Sequence, residues 1–208
     1  MNRLENWFCN SSFWRRMTQK QLLPWLLTGT DLGDHVLEIG AGPGAATEEL
    51  RKRARRVTSL EYSHAFAAGI VHRCQSKNGA VLQGDASTLP FPEKTFSSAI
   101  AILVLHHLRS RELQERAFAE VFRVLRPGGV FLALDIQDGW LNRVSHFRST
   151  FVPVAAASAP DRLAAAGFSS VSISFFRRGA YRLRALRAQD AGGSIPGSRR
   201  VDAAVLGP

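Results

Sequence analysis

The stretch VLEIGAGPGAAT, Val36 to Thr47, strips side chains from a turn between an apolar run and a helix-compatible one, with Gly40, Gly42 and Gly44 at alternate positions. Glycine permits positive φ and lets backbone amides approach a ligand with no Cβ in the way, while a following helix turns free N–H groups and a partial positive charge toward an anion. The turn is suited to hold something negative and bulky close to the main chain. Pro43 fits near the helix start, where a missing N–H costs little. Taken alone the turn also suits a dinucleotide, because Gly40, Gly42 and Ala45 satisfy GxGxxA, and it could be a tight turn with no ligand at all.

Two carboxylates narrow the choice. Glu61 closes the run VTSLE, 21 positions after Gly40, where it can accept hydrogen bonds from both hydroxyls of a ribose whose 2′-position is free. This favours an adenosine-bearing ligand without a 2′-phosphate. Asp85, in GDASTLPF, closes the next apolar run; its side chain can accept from an exocyclic amine while the Ala86 N–H donates to a ring nitrogen, together reading adenine. Each acid has a plainer use by itself, as a solvated strand end or a turn cap. His106 and His107 follow a fourth apolar run and have the pKa range of a general base. One packing in the core and the other meeting solvent explains them as well, so no catalyst is assigned.

The elements that must position these residues alternate. VLEIG, AATEELRKRA, VTSLE, AFAAGIVHRC and AVLQG follow the βαβαβ rhythm of a parallel sheet with helices on both faces. SAIAILVL reads as a strand buried on both faces, Ser110 as the cap of a helix with Leu113, Ala117, Phe118, Val121, Phe122 and Leu125 on one stripe, RPGG as its stop and VFLALDI as a fifth strand. A short helix DRLAAAG leads to Val171, Ile173 and Phe175, alternating with serines, and RRGA turns the chain into an antiparallel partner over 181–186. The expected fold is therefore α/β, a doubly wound, seven-stranded, mostly parallel sheet with a C-terminal antiparallel hairpin, whose ligands bind beyond the carboxyl ends of the strands. Residues 1–30, rich in aromatics and broken near Pro24, are expected to form a helical lid; residues 31–187 form the binding domain and 188–208 a mobile tail.

Composition bounds the remainder. A chain of 208 residues with 45% hydrophobic content suits one domain. Cys9 and Cys74 have neither metal-ligand nor CxxC spacing and read as reduced thiols. With no apolar run of membrane-spanning length and no secretory signal pattern at the N-terminus, a cytoplasmic protein is expected. The net charge of +10 invites a nucleic-acid partner. Its basic residues, however, concentrate in RKRARR, read as a helix C-terminus, and in RRGAYRLRALR, read as a solvated hairpin edge.

The set VLEIGAGPGAAT, SLEYS, GDASTLPFPEKTFSSAI, LHHL and VLRPGGVF resembles the class I S-adenosylmethionine-dependent methyltransferases, in particular the small-molecule branch that includes quinone-biosynthesis C-methylases. The likeness runs from about Val36 to Ile136. It implies that Glu38 and the loop of Gly40, Ala41, Gly42 and Gly44 border the methionine moiety of S-adenosylmethionine, that Glu61 binds the ribose, that Asp85 and Ala86 hold adenine, and that the backbone near Ala101 takes the amino group. Ser97 stands where the family usually has aspartate. A short-chain dehydrogenase would need Lys four residues after a Tyr, but Phe66 and Ala185 follow Tyr62 and Tyr181 at that offset. The DPPY or NPPY tetrapeptide of amino-directed nucleic-acid methylation and a Pro-Cys nucleophile are both missing. The expected acceptor is a small molecule; a protein that binds the cofactor as regulator or scaffold is the alternative from another class, and a nucleic-acid methyltransferase the enzymatic one. No oligomeric state is assigned from the sequence.

Overall fold

The computed structural model describes residues 3–73, 78–176 and 179–190. Their seven strands form one sheet in the order β3-β2-β1-β4-β5-β7-β6. Strands β1 (His35–Ile39), β2 (Arg56–Glu61), β3 (Gly79–Gln83), β4 (Phe96–Ile102) and β5 (Leu125–Ile136) run parallel, and β7 (Ala180–Leu186) is antiparallel to both β5 and β6 (Ser170–Phe175). The order reverses between β1 and β4, so their tips diverge there and leave a crevice, as doubly wound sheets do.

Alternate residues of the central strands feed two cores, one on each face. Leu37, Ile39, Ala99, Phe131 and Ala133 pack with Phe118 and Val121 of α6 (Arg111–Val124) and Leu163 of α8 (Ala159–Ala165). Val36, Ile100, Leu132 and Leu134 pack with Leu23 and Leu26 of α3 (Leu23–Leu27) and Leu50 of α4 (Thr47–Arg53). Burial on both faces is why these strands read as continuous apolar runs. Helix α5 (His64–Arg73) packs on β2 and β3; α1 (Arg3–Cys9) and α2 (Ser12–Met17) precede the sheet, and α7 (Trp140–Ser145) follows β5 and has no buried residue.

The expected cap of the sixth helix is present, and the departure at Ser97 has a structural role. Ser110 caps α6, accepting from the Leu113 N–H at 3.3 Å. Ser97 accepts from the His35 N–H at 2.9 Å and lies 2.7 Å from the Leu32 carbonyl, tying the loop before β1 to β4 where relatives of the resembled family carry aspartate. Other expectations need correction. Pro24 starts α3 rather than breaking a helix, because a π-helical turn over Thr18–Leu22 precedes it and widens the backbone where its ring would meet a carbonyl. RPGG does stop α6, but β5 begins at Leu125, and residues 126–129 bulge out opposite Ser97 alone. The fourth strand is shorter than its apolar run, ending at Ile102, since Leu103 adopts φ 56° and Leu105–His107 turns into a 3-10 helix. Residues 188–190 fold back, with Asp190 2.9 Å from Lys94 Nζ; the rest of the expected tail, and Arg177 and Arg178 of the hairpin turn, lie outside the described residues, as does Cys74.

Among the described residues, the arginines of β7 do not form a solvated edge, for β7 is an interior strand and β6 is the edge. Arg182 lies 3.2 Å from the Trp25 carbonyl and 3.1 Å from that of Thr28, at the end of α3. Arg187 donates to the carbonyls of Phe122, Arg123 and Leu125 at the end of α6, between 2.7 and 3.2 Å. Guanidinium forks there satisfy carbonyls that a helix C-terminus leaves without partners.

Candidate functional site

The tips of β1, β2 and β4, the chain after β3 and helix α1 enclose a cleft of about 980 Å³. That lies at the upper end of the range for sites holding a cofactor or drug-sized ligand. A second hollow of about 400 Å³, between Asp34, Arg55, Arg56 and Asn78, lies at the opposite ends of the strands, away from the glycine turn.

The glycine turn forms one wall. Gly40, Gly42 and Gly44 all have positive φ, at 66°, 53° and 84°. Their roles differ. A Cβ on Gly40 would lie 2.4 Å from Val104 Cγ2, so this glycine allows β1 and the chain after β4 to approach closely. A Cβ on Gly42 would meet nothing within 4 Å. Gly44 does not line the cleft; it packs toward Ile70 of α5. Ala41, Gly40 and Gly42 do line it.

Glu61 is 7% exposed and faces the cleft. Its two oxygens accept from the backbone N–H groups of Gly42 at 2.7 Å and Ser63 at 2.8 Å. The Gly42 amide, expected to be bare, is therefore already engaged. Two amides orient the carboxylate, and since a carboxylate has about four acceptor positions, capacity is left for a diol. Asp85 is divided in the same way: Oδ1 accepts from the Ser87 N–H at 2.8 Å and its hydroxyl at 2.7 Å, fixing the turn, while Asp85 and Ala86 both border the cleft. Turn cap and ligand reader, alternatives in the sequence, are compatible in one side chain.

Glu38 is 3% exposed, with Thr47 and Ser59 hydroxyls donating to Oε2 at 2.6 and 2.7 Å. Burial raises its pKa, opposed by those hydroxyls. It thus braces the glycine turn from below, binding β1 to α4 and β2. Ala101 does not reach the cleft: it is 1% exposed within the core, paired with Ile39 and Ala133. The residues at that rim are Ile102, Leu103 and Val104, with the left-handed Leu103 held by its N–H to the Leu134 carbonyl at 2.8 Å. A leucine at positive φ is strained, and such outliers concentrate at functional sites.

Beyond the glycine turn the cleft continues into a chamber bordered by Trp7, Phe8, Trp14, His106, His107 and His146. Arg15 and Gln19 hold the N-terminal helices over it, reaching Glu48 of α4 at 2.7 and 2.9 Å. His106 is 2% exposed; its Nδ1 is hydrogen-bonded to Asp135 Oδ1, and its N–H donates to Asp135 Oδ2 at 3.2 Å. Burial, reinforced by the neighbouring His106, pushes the His107 pKa down to about 4. Sequence reading singled out the two adjacent histidines but missed Asp135, His146 and Glu5. Only Asp135 left a signal, an acid closing an otherwise apolar buried strand.

Sheet order, glycine turn and paired carboxylates together define the class I S-adenosylmethionine-dependent methyltransferase fold. Residues 37–133, just under half of the chain, match the family described as methyltransferase domain. A demethylmenaquinone methyltransferase of Tropheryma whipplei (strain Twist) is 31% identical over 122 residues, 59% of this chain and 47% of that protein. The chain thus spans about half the length of this curated relative. A tRNA (carboxymethyluridine(34)-5-O)-methyltransferase of Arabidopsis thaliana is 40% identical over 63 residues, 30% of this chain and 16% of its own. Among solved structures, the PH0226 protein of Pyrococcus horikoshii OT3 superposes with a TM-score of 0.72 at 19% identity, covering 86% of this chain and 92% of its own, a likeness of fold.

Proposed function

We propose that the chain transfers a methyl group from S-adenosylmethionine to a small-molecule acceptor in the cytoplasm. The observation that carries this reading is Glu61, pinned by the Gly42 and Ser63 amides at the rim of a cleft deep enough for an adenosyl group and an acceptor together. In this reading Glu61 takes the ribose hydroxyls, Asp85 and Ala86 the adenine, and the turn of Gly40, Ala41 and Gly42 the methionine end, with Glu38 bracing that turn. The rim at Ile102 and Leu103 replaces Ala101 as the partner of the amino group.

Transfer from a sulfonium is an in-line displacement, so the protein's main tasks are to align acceptor, methyl carbon and sulfur and to exclude water. Good alignment alone is worth about 7–11 kcal/mol. The aromatic N-terminal helices over the chamber support roles as a lid and as the apolar wall of an acceptor site. A macromolecular acceptor fits this chamber poorly, because α1 and α2 cover it.

Thermal denaturation with S-adenosylmethionine, S-adenosylhomocysteine and NAD tests the reading. Either sulfur compound at 100 times its dissociation constant should stabilise the chain by about 2.7 kcal/mol, and NAD should not. No shift with either sulfur compound would remove both the enzyme and a cofactor-binding scaffold, and turnover on a panel of small acceptors separates those two.

A further inference from the structure

Alignment of a methyl donor and acceptor does not call for three clustered histidines, yet His106, His107 and His146 each bring a ring nitrogen within 4.8 Å of the others. His106 and His107 come from the 3-10 turn after β4, and His146 from the end of α7. The three rings are in mutual contact, with centroids 4.2, 5.0 and 5.5 Å apart.

Each ring is held through Nδ1. That of His106 faces the Asp135 carboxylate, that of His107 the Thr150 carbonyl at 3.2 Å and that of His146 the Asn142 carbonyl at 2.7 Å. Carbonyls and carboxylates only accept, so a neutral ring in each of these places carries its proton on Nδ1 and leaves the Nε2 lone pair for a ligand. Metal-ligating histidines are held in this way, the second nitrogen donating to a carboxylate or a backbone carbonyl. Packing accounts for the ring stacking, including that of His146 on Phe151 at 4.6 Å, but not for one shared tautomer. The same place holds a carboxylate: Glu5 Oε1 lies 3.9 Å from His146 Nε2, and Ser149 Oγ donates to Oε2 at 2.8 Å.

We propose that His106, His107 and His146, with Glu5, bind one divalent transition-metal cation in the wall of the chamber. Imidazole donors with one carboxylate suit zinc, iron or nickel over magnesium and calcium. Tetrahedral bonds of about 2.0–2.1 Å set the nitrogens about 3.3 Å apart. The rings must therefore draw inward to bind the ion. Bound there, the cation would favour deprotonation of an acceptor oxygen, which narrows the acceptor class to compounds with an ionisable hydroxyl or enol. This last consequence rests on the methyl-transfer reading; the binding site does not.

The test is a titration of the full chain, free of any polyhistidine tag and stripped by chelator, with zinc and separately with cobalt. The expected result is one equivalent of zinc per chain and the visible absorption of cobalt in a low-coordinate nitrogen site. His146→Ala should weaken zinc binding by about 100-fold or more, and Asp135→Asn by about 10–100-fold through loss of the orienting carboxylate. The His146 side chain is only 10% exposed, so a melt checks that His146→Ala is folded, and His146→Phe, which keeps an aromatic ring there and removes both nitrogens, should lose zinc to the same extent. Absence of stoichiometric zinc, a preference for magnesium, or wild-type zinc content in a folded His146→Ala/His107→Ala chain would each overturn the proposal. S-adenosylhomocysteine binding, measured on the same samples, reports on the cofactor cleft independently.

Discussion

Glu61 illustrates how one side chain links structure to binding. Its carboxylate accepts the Gly42 and Ser63 amides, so the turn it orients also orients it. Hydrogen bonds to a charged acceptor are worth about 1.5–3 kcal/mol each. Glu61→Ala should therefore weaken S-adenosylhomocysteine binding at least tenfold, about 1.4 kcal/mol, while Glu93→Ala on the exposed crossing after β3 leaves it unchanged. Calorimetry giving the reverse ranking would remove Glu61 from the site. Cys9 allows a second check. Burial, with Glu5 beside it, pushes its thiol up to about 11. At pH 8 about one thiol in a thousand is then ionised, against roughly a quarter for a free cysteine, and the thiolate is the reactive form. Site-resolved mass spectrometry should find Cys9 alkylated roughly 250-fold more slowly than a free thiol at that pH, in proportion to the thiolate fractions; equal rates would mean that α1 does not cover the chamber in solution.

The glycine turn separates stability from binding within a single element. Gly40→Ala forces a methyl to 2.4 Å from the branched Val104 side chain and keeps a residue at φ 66°. Overpacking and a left-handed residue together cost about 2–5 kcal/mol. Gly42→Ala meets no neighbour and suffers only the backbone cost, about 1–2 kcal/mol. In a chain of this length each kcal/mol moves the melting temperature by about 2–4 °C, so the two variants should be distinguishable by calorimetry. Gly42→Ala should nonetheless be impaired in cofactor binding, since its methyl stands at the cleft wall. An order in which Gly42→Ala is the less stable would contradict the close contact between β1 and the chain after β4. Helix α6 works at the same scale: buried Gln114 donates to the carbonyls of Leu105 and Val152 at 3.1 and 2.6 Å, joining the two segments that bracket His106.

For the whole molecule, net charge is a poor guide to partners because some basic residues serve the fold itself. Arg182 and Arg187 donate to backbone carbonyls at the ends of α3 and α6. An electrostatic footprint for nucleic acid needs arginines and lysines free on one face. Fluorescence anisotropy at physiological salt should accordingly find duplex DNA or tRNA bound no more tightly than the non-specific range, about 10⁻⁴–10⁻⁶ M. Nanomolar tRNA binding would redirect the acceptor reading to nucleic acid. Among the described residues no helix is long and apolar enough to cross a membrane.

Local chemistry was legible in the order of the residues. The glycine turn, the strand-end acids Glu61 and Asp85 and the Ser110 cap each depend on a few consecutive side chains whose conformational preferences act over short range. Tertiary structure decided what depends on distant segments meeting. Which hairpin strand lies inside the sheet could not be read, because β6 and β7 both alternate and only pairing with β5 distinguishes them. The convergence of Glu5, His106, Asp135 and His146 was equally hidden, since each is an ordinary polar residue until packing closes the chain around it, and the burial of Ala101, with Ile102 to Val104 left at the rim, was settled by the pairing of β4 between β1 and β5.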